Sequence, residues 1–351
     1  MKDMNDAFRP GQVWLDTEGK PIQAHGGSVY YENNKFYWYG ENKELTDGIN
    51  GIWHNGVRCY SSEDLYHWKD EGIIIPAEED EKSTLNRKSC MDRPHIVYNE
   101  LTQKYVCFLK IMENSKEQSM TILDSDSLLG PYVKIKEHFK PFGFNCGDFD
   151  LVKTENGRVY WYFEKVHSEL ICAELTDDYH DVKERYSVHF PHPEGVPYVR
   201  EAPAYFERNG YHYLITSGTS GYYPNPSEIA VSEDYHGPFK VTGRLHIGDD
   251  SDTSFHSQIS SVFKVPFKKD LYIAIADRWL PEAMNLSYNI TREVFELYNS
   301  GKYGQALKIV RSLNLSVENT SKATYVWLPI VFDGEVPYIK WHDCWKYEDW
   351  E

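Results

Sequence analysis

The sequence is poor in basic residues: 37 Lys and Arg stand against 54 Asp and Glu, which gives a formal net charge of −17. Proteins that bind nucleic acid neutralise phosphates with clustered Lys and Arg, and this sequence has no such cluster. We therefore predict no nucleic-acid partner. A small neutral ligand fits this charge balance better.

Long apolar segments are also missing. No run of about 18 apolar residues, the length that spans a bilayer, occurs in the sequence. The opening stretch MKDMNDAFRP lacks the apolar region of a secretion signal. We therefore expect a cytoplasmic protein with no membrane partner, and the sequence leaves the oligomeric state open.

Paired cysteines are absent as well. The six cysteines are scattered without a Cys-x-x-Cys pair, so the sequence indicates neither a zinc site nor a disulfide framework. His25 and His256 are candidates for a structural cation site at the centre of the fold, but isolated histidines are more often hydrogen-bonded core residues. We predict no cofactor and no metal requirement for the chemistry.

Aromatic residues, by contrast, are abundant at 15%, with 27 Tyr and 10 Trp. They recur in paired strand-like runs separated by short turns, and an Asn-Gly turn between such runs is a strong hairpin signal. Five hairpins are predicted at residues 28–31 and 35–39, 95–98 and 104–109, 149–152 and 158–163, 204–206 and 211–215, and 261–263 and 271–275.

A second pattern follows most of these hairpins. Segments such as Cys59-Tyr-Ser-Ser-Glu-Asp64 and Val231-Ser-Glu-Asp234 indicate a third strand and a turn into a fourth. Four-stranded units that repeat every 50–70 residues or so are typical of propeller blades. The sequence therefore predicts an all-β, five-bladed β-propeller that forms one domain over residues 1–351.

One segment interrupts this pattern. Between about residues 281 and 318, apolar residues recur at helical spacing on both sides of Gly301. We predict a helical hairpin inserted in the last blade and expect it to be a packing excursion rather than a lid. Strands at 325–330 and 336–341 would then complete blade five, with help from the N-terminal segment around Trp14.

Acidic and polar residues lie near the predicted strand ends, which converge on the axis of a propeller. They are Glu41, Asp92, Asp148, Glu201 and Gln258, with Asp277, Arg278 and Trp279 nearby. Glu201 precedes an aromatic strand, and apolar surroundings would raise its pKa into the range of a general acid. A structural ion pair with Arg200 is the alternative for this residue.

Several short motifs lie at or near these strand ends. They are Ile22-Gln-Ala-His-Gly-Gly27, Tyr39-Gly-Glu41, Asp92-Arg-Pro-His-Ile-Val-Tyr-Asn99, Arg200-Glu-Ala-Pro203, Ser257-Gln258, Asp277-Arg-Trp279 and Tyr325-Val-Trp-Leu-Pro329. Together they resemble glycoside hydrolase family 43, a five-bladed propeller family with inverting chemistry. The resemblance is strongest to the exo-β-1,3-galactanase branch.

The resemblance implies that Glu201 is the general acid. It implies that Asp148, rather than Asp150, tunes the pKa of Glu201 and orients it. Glu41 is expected to bind a sugar hydroxyl. Further expected substrate-binding residues are His25, Arg93, Thr219, Gly221, Asp277 and Trp279.

The general base is less clear from the sequence. The usual Asp of the first strand is replaced by Ala24-His-Gly-Gly27, and the galactanase branch assigns water positioning to the Gln that matches Gln258. An amide is a poor base, so Asp92 is the candidate that receives the proton. Asp92 stands where the branch usually has Glu, and Gly147 stands where an Arg is common; both departures put the substrate in question.

These expectations favour an inverting, exo-acting glycoside hydrolase that acts on galactan or arabinogalactan-type oligosaccharides, as a β-1,3-galactosidase would. An α-L-arabinofuranosidase or β-xylosidase of the same family is an alternative. A non-catalytic carbohydrate-binding propeller is a second, because of the atypical base, and a phosphorolytic propeller ranks third.

Overall fold

The computed structural model describes residues 6–113, 117–313 and 318–351. Their strands form five β-sheets. The innermost strand of each sheet contacts the innermost strands of its two neighbours, so the sheets close into a ring. The prediction of an all-β, five-bladed β-propeller is confirmed.

Blades 1 to 3 are antiparallel meanders of four strands each. Blade 1 comprises β1 (His25–Glu32), β2 (Lys35–Glu41), β3 (Val57–Ser62) and β4 (Lys69–Ile75). Blade 2 comprises β5 (Cys90–Asn99), β6 (Lys104–Met112), β7 (Gln118–Ser125) and β8 (Val133–Phe139). Blade 3 comprises β9 (Cys146–Lys153), β10 (Val159–Lys165), β11 (Glu169–Leu175) and β12 (Val182–His189).

Blades 4 and 5 complete the ring. Blade 4 comprises β13 (Arg200–Arg208), β14 (Tyr211–Gly218), β15 (Glu228–Ser232) and β16 (Lys240–Arg244). Blade 5 comprises β17 (His246–Ile247), β18 (Gln258–Lys264), β19 (Tyr272–Arg278), β20 (Thr324–Tyr325), β21 (Leu328–Asp333) and β22 (Val336–Lys340). The innermost strands are therefore β1, β5, β9, β13 and β18.

The hairpin turns have the local chemistry that the sequence predicted. Asn33 and Asn34 both have positive φ, at 52° and 59°, and Asn209 and Gly210 have φ of 53° and 78°. Two-residue hairpin turns need positive φ at both positions, and Asn and Gly tolerate this conformation best. The turn residues thus fix the strand register, which carries the site residues to the end of the blades opposite these turns.

The hydrophobic core is divided among the interfaces between blades. Separate clusters of buried side chains join blades 1 and 2, blades 2 and 3, and blades 3 and 4, and a larger cluster joins blades 4, 5 and 1. Each sheet packs against a neighbouring blade on both faces. Its inner strands are therefore almost continuously apolar, as in Tyr105–Leu109 of β6. Charged residues within such strands therefore stand out.

The seam between blades 5 and 1 differs from our expectation. The outer strand of blade 5 is β17, which pairs in parallel with β22, and the segment around Trp14 adds no strand to this sheet. Trp14 instead packs against Trp38 and Trp327, with ring centroids 6.0 Å and 5.2 Å away. The N-terminal segment also makes backbone hydrogen bonds: Phe8 and Trp345 form an antiparallel bridge, and the N–H of Gly11 donates to the carbonyl oxygen of Tyr325 in β20 at 2.7 Å. It therefore contacts blade 5 through its backbone as well as through ring packing.

The predicted helical hairpin lies between β19 and β20. It consists of α1 (Tyr288–Asn299) and α2 (Tyr303–Ser312), with Gly301 at the turn. Asn299 Nδ2 donates to the carbonyl oxygen of Val196 across 2.6 Å, which ties α1 to the loop before blade 4. Among the described residues, no helix has the length and apolar character needed to traverse a bilayer.

Candidate active site

A cavity of about 470 Å³ opens at one end of the ring, a size typical of small-molecule sites. It lies where the innermost strands β5, β9, β13 and β18 begin and where the strands paired with them end. The cavity lining includes nine of the predicted site residues: Glu41, Asp92, Arg93, Asp148, Glu201, Thr219, Gly221, Gln258 and Trp279. The propeller thus brings together residues that are far apart in sequence.

Glu201 enters the cavity from a distorted part of β13. The register with β14 shifts between Glu201 and Ala204, and Ala202 has φ of 48°. Such a bulge re-aims side chains at the end of a strand. Burial, and then the negative charge of Asp148, raise the pKa of Glu201 well above its ordinary value. A raised pKa favours the protonated form of the carboxyl group, which is the form that a general acid needs.

Asp148 is held by two cations. Arg93 Nη2 donates to Asp148 Oδ2 across 2.9 Å, and Lys110 Nζ donates to Oδ1 across 2.9 Å. Burial alone would raise the pKa of Asp148, but Arg93 and Lys110 hold it well below its ordinary value. The pKa of Asp148 is therefore lowered beside a Glu201 whose pKa is raised, which is the division of roles that paired carboxyl groups need for acid catalysis.

The side chain of Gln258 is hydrogen-bonded at both ends. Its Oε1 accepts from Arg93 Nη2 at 2.6 Å and from Trp279 Nε1 at 3.3 Å. Its Nε2 donates to Glu201 Oε1 at 3.2 Å and to Ser217 Oγ at 3.0 Å. These four contacts use both lone pairs and both hydrogens of the amide. Gln258 is thereby fixed between the acid and the cation that holds Asp148.

Asp92 is the carboxylate that the innermost strand β5 contributes to the cavity. Its Oδ1 accepts from Trp53 Nε1 at 2.8 Å, and its Oδ2 lies 3.4 Å from Lys110 Nζ. Burial would raise the pKa of Asp92, but Lys110, Lys43 and the Trp53 hydrogen bond lower it below its ordinary value. Asp92 is therefore ionised at neutral pH and chemically able to accept a proton.

Glu41 lies at the end of β2, the second strand of blade 1, rather than on an innermost strand as its sequence position suggested. Its Oε2 lies 2.8 Å from Lys43 Nζ, and its Oε1 accepts from the backbone N–H of Arg93 at 3.0 Å. Burial, and then the charge of Asp92, raise the pKa of Glu41 to about 7 despite Lys43. Glu41 therefore contributes to the cavity wall as a strongly buried carboxyl group.

Three aromatic rings cross one side of the cavity mouth. Trp53, from the loop after β2, lies 6.0 Å from Tyr222, in the loop after β14, and Tyr222 lies 5.2 Å from Trp279, measured between ring centroids. Trp53 belongs to blade 1 and Tyr222 to blade 4, and blade 5 lies between these two blades in the ring. The contact between Trp53 and Tyr222 therefore passes over blade 5. The rings provide apolar faces for a sugar and close that side.

Two predicted substrate-binding residues are placed differently. His25 is fully buried and lies outside the cavity lining. Its Nδ1 lies 2.9 Å from Asp277 Oδ1, and its ring stacks on Tyr325 at 5.0 Å. Asp277 also accepts from the backbone N–H of Gly26 at 2.9 Å, so the pair joins β1 to β19. Neither side chain lines this cavity, although Asp277 borders a smaller adjoining pocket with Gln258 and Trp279. Contact of His25 and Asp277 with substrate stays a prediction.

The two candidate histidines for a cation are both engaged. His25 pairs with Asp277, and His256 Nε2 lies 2.9 Å from the carbonyl oxygen of Leu286. Within the part of the chain that the structure describes, no group of three or more His, Cys, Asp or Glu side chains is arranged to hold a metal ion. The absence of a metal requirement remains a prediction.

Asp150 and Gly147 lie on β9 on either side of Asp148, and neither lines the cavity. Asp150 is buried, and its Oδ2 accepts from the backbone N–H of Tyr205 at 2.8 Å, which joins β9 to β13. Gly147 has no room for a side chain, because a Cβ there would lie 2.2 Å from Glu164 Oε2. The glycine at position 147, where an Arg is common in the family that the sequence resembles, thus leaves space for the carboxylate of Glu164, which our sequence analysis did not single out.

Sequence reasoning missed several residues of the cavity lining. They are Trp53, Lys110, Gln118, Glu164, His167, Tyr222 and Phe295. A signal existed for Lys110 and Glu164, since each is a charge in an otherwise apolar strand (β6 and β10). Phe295 belongs to α1, so the insertion forms part of the cavity wall and is more than the packing excursion that we expected.

Comparisons with known proteins agree with this architecture. The chain resembles the solved GH43 beta-1,3-galactosidases BT0265 (26% identity, TM-score 0.80, covering 99% of this chain and 65% of that one) and BT3683 (26%, 0.77, 97% and 100%). It also resembles an exo-beta-1,3-galactanase from Clostridium thermocellum (25%, 0.75, 96% and 66%). This chain therefore spans slightly less than two thirds of BT0265 and of the Clostridium protein. No curated protein sequence matches it.

The sequence model described as "Glycosyl hydrolases family 43" matches residues 19–295, which is well over half of the chain. The matched region contains the innermost strands β1, β5, β9, β13 and β18 and all of the cavity-lining residues named above, from Glu41 to Phe295. On this match, the chain belongs to glycosyl hydrolase family 43.

Proposed function

We propose that the protein is an inverting, exo-acting glycoside hydrolase that removes terminal β-1,3-linked galactose from galactan or arabinogalactan-type oligosaccharides. The observation that carries the proposal is the convergence, in one cavity, of Glu201, whose pKa is raised, with Asp148 and Asp92, whose pKa values are lowered. Glycoside hydrolysis needs one carboxylic acid to protonate the leaving oxygen and one base to activate water.

The proposed reaction assigns each proton. Glu201 donates its proton to the glycosidic oxygen as the bond from that oxygen to the anomeric carbon breaks. A water molecule attacks the anomeric carbon from the opposite face, and Asp92 takes the proton that the water loses. The products are a free sugar of inverted anomeric configuration and an oligosaccharide shortened by one unit.

Gln258 has a positioning role in this mechanism. Its amide bonds both Glu201 and Arg93, so it sets the distance between the acid and the cation that holds Asp148. Its oxygen already accepts two hydrogen bonds from the protein, which favours Asp92 over Gln258 as the acceptor of the proton. A correctly oriented acid and water can each contribute several orders of magnitude to the rate.

Exo action is supported by the shape of the mouth. The contact between Trp53 and Tyr222 closes one side of the cavity, and Phe295 borders it as part of the helical insertion. A cavity closed on one side accepts the end of a glycan chain more readily than its middle. Galactose as the terminal sugar is supported by the solved relatives, of which BT3683 was obtained with galactodeoxynojirimycin.

The pairing of cations weighs against phosphorolysis. Lys43 lies against Glu41 at 2.8 Å, and Arg93 and Lys110 both bond Asp148. The two cations that line the cavity, Arg93 and Lys110, and the neighbouring Lys43 thus each face a carboxyl group, whereas a phosphate nucleophile needs a site with excess positive charge.

The proposal is tested with purified protein on β-1,3-galactobiose, on 4-nitrophenyl β-galactoside and on the corresponding α-L-arabinofuranoside and β-xyloside. We expect release of galactose from the first two, with the α-anomer formed first in proton NMR. Preference for the arabinofuranoside or xyloside would move the chain to another activity of its family. Binding of galactobiose in calorimetry without turnover over days would instead support a carbohydrate-binding propeller.

A further inference from the structure

A polar group lies on the outer side of the cavity, between blades 2 and 3. Gln118 is the first residue of β7, Glu164 is near the end of β10, and His167 follows in the next turn. All three line the cavity. Successive strands of a blade step away from the axis, so Glu164 is one strand farther out than Asp148, and Gln118 is two strands out from β5.

Gln118 is only 3% exposed, and its side-chain oxygen Oε1 is buried without a hydrogen bond from any described residue. Buried amide oxygens almost always accept a hydrogen bond, because an unpaired one loses its interactions with water and gains nothing in return. A buried amide oxygen without a donor, on a residue that lines a cavity, is therefore suited to a ligand that supplies the missing donor.

Glu164 presents a second acceptor to the same place. Its Oε1 accepts from the backbone N–H of His167 at 2.7 Å and lies 3.1 Å from His167 Nδ1. Its Oε2 and Gln118 Oε1 both approach Gly147, at 2.2 Å and 3.2 Å from the position that a Cβ would take. The glycine thus makes room for two oxygen acceptors to converge beside Asp148.

Two converging acceptors need donors, and sugar hydroxyl groups are donors. The carboxylate also disfavours anionic sugars, because like charges in a partly buried site repel. The group borders Glu201, whose pKa is raised in part by the charge of Glu164. In the proposed mechanism, the residues nearest the axis, such as Asp92 and Gln258, surround the terminal sugar that is released. The leaving sugar, whose glycosidic oxygen Glu201 protonates, then lies toward the outer side of the cavity.

We propose that Gln118, Glu164 and His167 form a subsite for the leaving sugar, and that this subsite binds the hydroxyl groups of a neutral saccharide. This inference rests on the proposed hydrolase function. It predicts that the protein distinguishes a sugar leaving group from an aryl leaving group that has no hydroxyl groups to offer.

The test compares kcat/KM for β-1,3-galactobiose with kcat/KM for 4-nitrophenyl β-galactoside in the full-length protein. Gln118→Ala removes the amide, and Gln118→Leu removes it while keeping most of the volume, so that packing and hydrogen bonding are separated. Glu164→Ala removes the second acceptor. Gln305→Ala is the matched control, because Gln305 is exposed on α2, away from the cavity.

We expect each of the three site variants to lose at least about 10-fold more kcat/KM on galactobiose than on the nitrophenyl galactoside, mainly through a higher KM. Gln305→Ala should change neither value. Equal losses on both substrates, or no loss on either, in folded variants would overturn the subsite while leaving the hydrolase proposal intact. Failure of the unmodified protein to cleave either substrate would overturn both proposals together.

Discussion

Lys110 Nζ lies 2.9 Å from Asp148 Oδ1, and the same nitrogen lies 3.4 Å from Asp92 Oδ2. One ammonium group therefore bridges the carboxylate that tunes the acid and the carboxylate proposed as the base. Burial would lower the pKa of Lys110, but Asp148 and Asp92 raise it well above its ordinary value, so the cation is permanent. The charge of Lys110 lowers the pKa of Asp92 and, more weakly, that of Glu201.

Replacement of this cation should move the pH optimum upward. In Lys110→Met, the pKa of Asp92 rises, so the acidic limb of the kcat/KM profile shifts to higher pH. The pKa of Glu201 rises as well, so the alkaline limb shifts in the same direction, and we expect about one pH unit for the larger shift. The measurement is kcat/KM for a nitrophenyl galactoside between pH 4 and 9.

Asp148→Asn is the opposing variant for the same profile. It removes a negative charge that raises the pKa of Glu201 and, to a smaller extent, that of Asp92. Both limbs should therefore shift to lower pH. Shifts of the two variants in the same direction would contradict the charge assignments at this site.

Loss of the acid should depend on the leaving group. Glu201→Gln keeps the shape of the side chain and removes its proton, so we expect a loss of about 10²- to 10⁴-fold on galactobiose. Nitrophenolate leaves without protonation, so the loss on the nitrophenyl galactoside should be much smaller. Glu207→Gln, at an exposed position of the same strand, is the control and should retain full activity on both substrates.

The base is tested with an external nucleophile. Asp92→Ala removes the ionised carboxylate and opens space for azide, so we expect azide to restore turnover of a nitrophenyl galactoside and to yield a glycosyl azide. Gln258→Ala should respond less, because that side chain is already bonded to Arg93 and Trp279 rather than facing an open position. Product analysis by mass spectrometry with and without azide separates the two. Azide rescue of Gln258→Ala alone would assign the water to Gln258.

Asp150 should make stability depend on pH. Burial raises the pKa of Asp150 to about 7, so the folded state holds a proton that the unfolded state releases above about pH 4. The resulting stabilisation is fully present below that pH and is lost as the pH rises to about 7. The Asn side chain of Asp150→Asn does not titrate, so the variant does not lose this stabilisation. The free energy of unfolding of the variant minus that of the unmodified protein should therefore increase by up to about 4 kcal/mol between pH 4 and pH 7 or so.

Urea unfolding at pH 4.5, 6 and 7.5 measures this difference. Asp333→Asn, at the exposed end of β21, is the control and should show a constant difference from the unmodified protein. A flat difference for Asp150→Asn would mean that Asp150 is ionised in the folded protein throughout.

Much of the fold was visible in the sequence because the repeated unit is local. Asn-Gly or Asn-Asn turns between aromatic strands mark three of the five hairpins, and five hairpins of similar spacing define the ring. The strand β17 was not foreseen, because two residues, His246 and Ile247, are too few to form a pattern. The aromatic segment around Trp14 looked like a better candidate for the seam.

The site was less fully predictable because its electrostatics are created between blades. Glu201 and Asp148 follow from motif resemblance, but the bridge from Lys110 to Asp92 and Asp148 joins two neighbouring blades and leaves no trace in sequence spacing. The burial of His25 is likewise not visible in the sequence. Motif resemblance placed this residue with the substrate-binding set, whereas pairing with Asp277 and stacking on Tyr325, which are distant in sequence, bury it completely.

The packing at the seam of blades 5 and 1 also has a spectroscopic consequence. The indole of Trp38 lies 4.6 Å from that of Trp327 and 5.3 Å from that of Trp68, both edge-on. Indoles this close and in fixed orientation couple their excited states, and this coupling gives a near-ultraviolet circular dichroism signal that vanishes when the rings separate. The protein therefore carries an intrinsic optical reporter of ring closure, which can follow opening of the seam independently of catalysis.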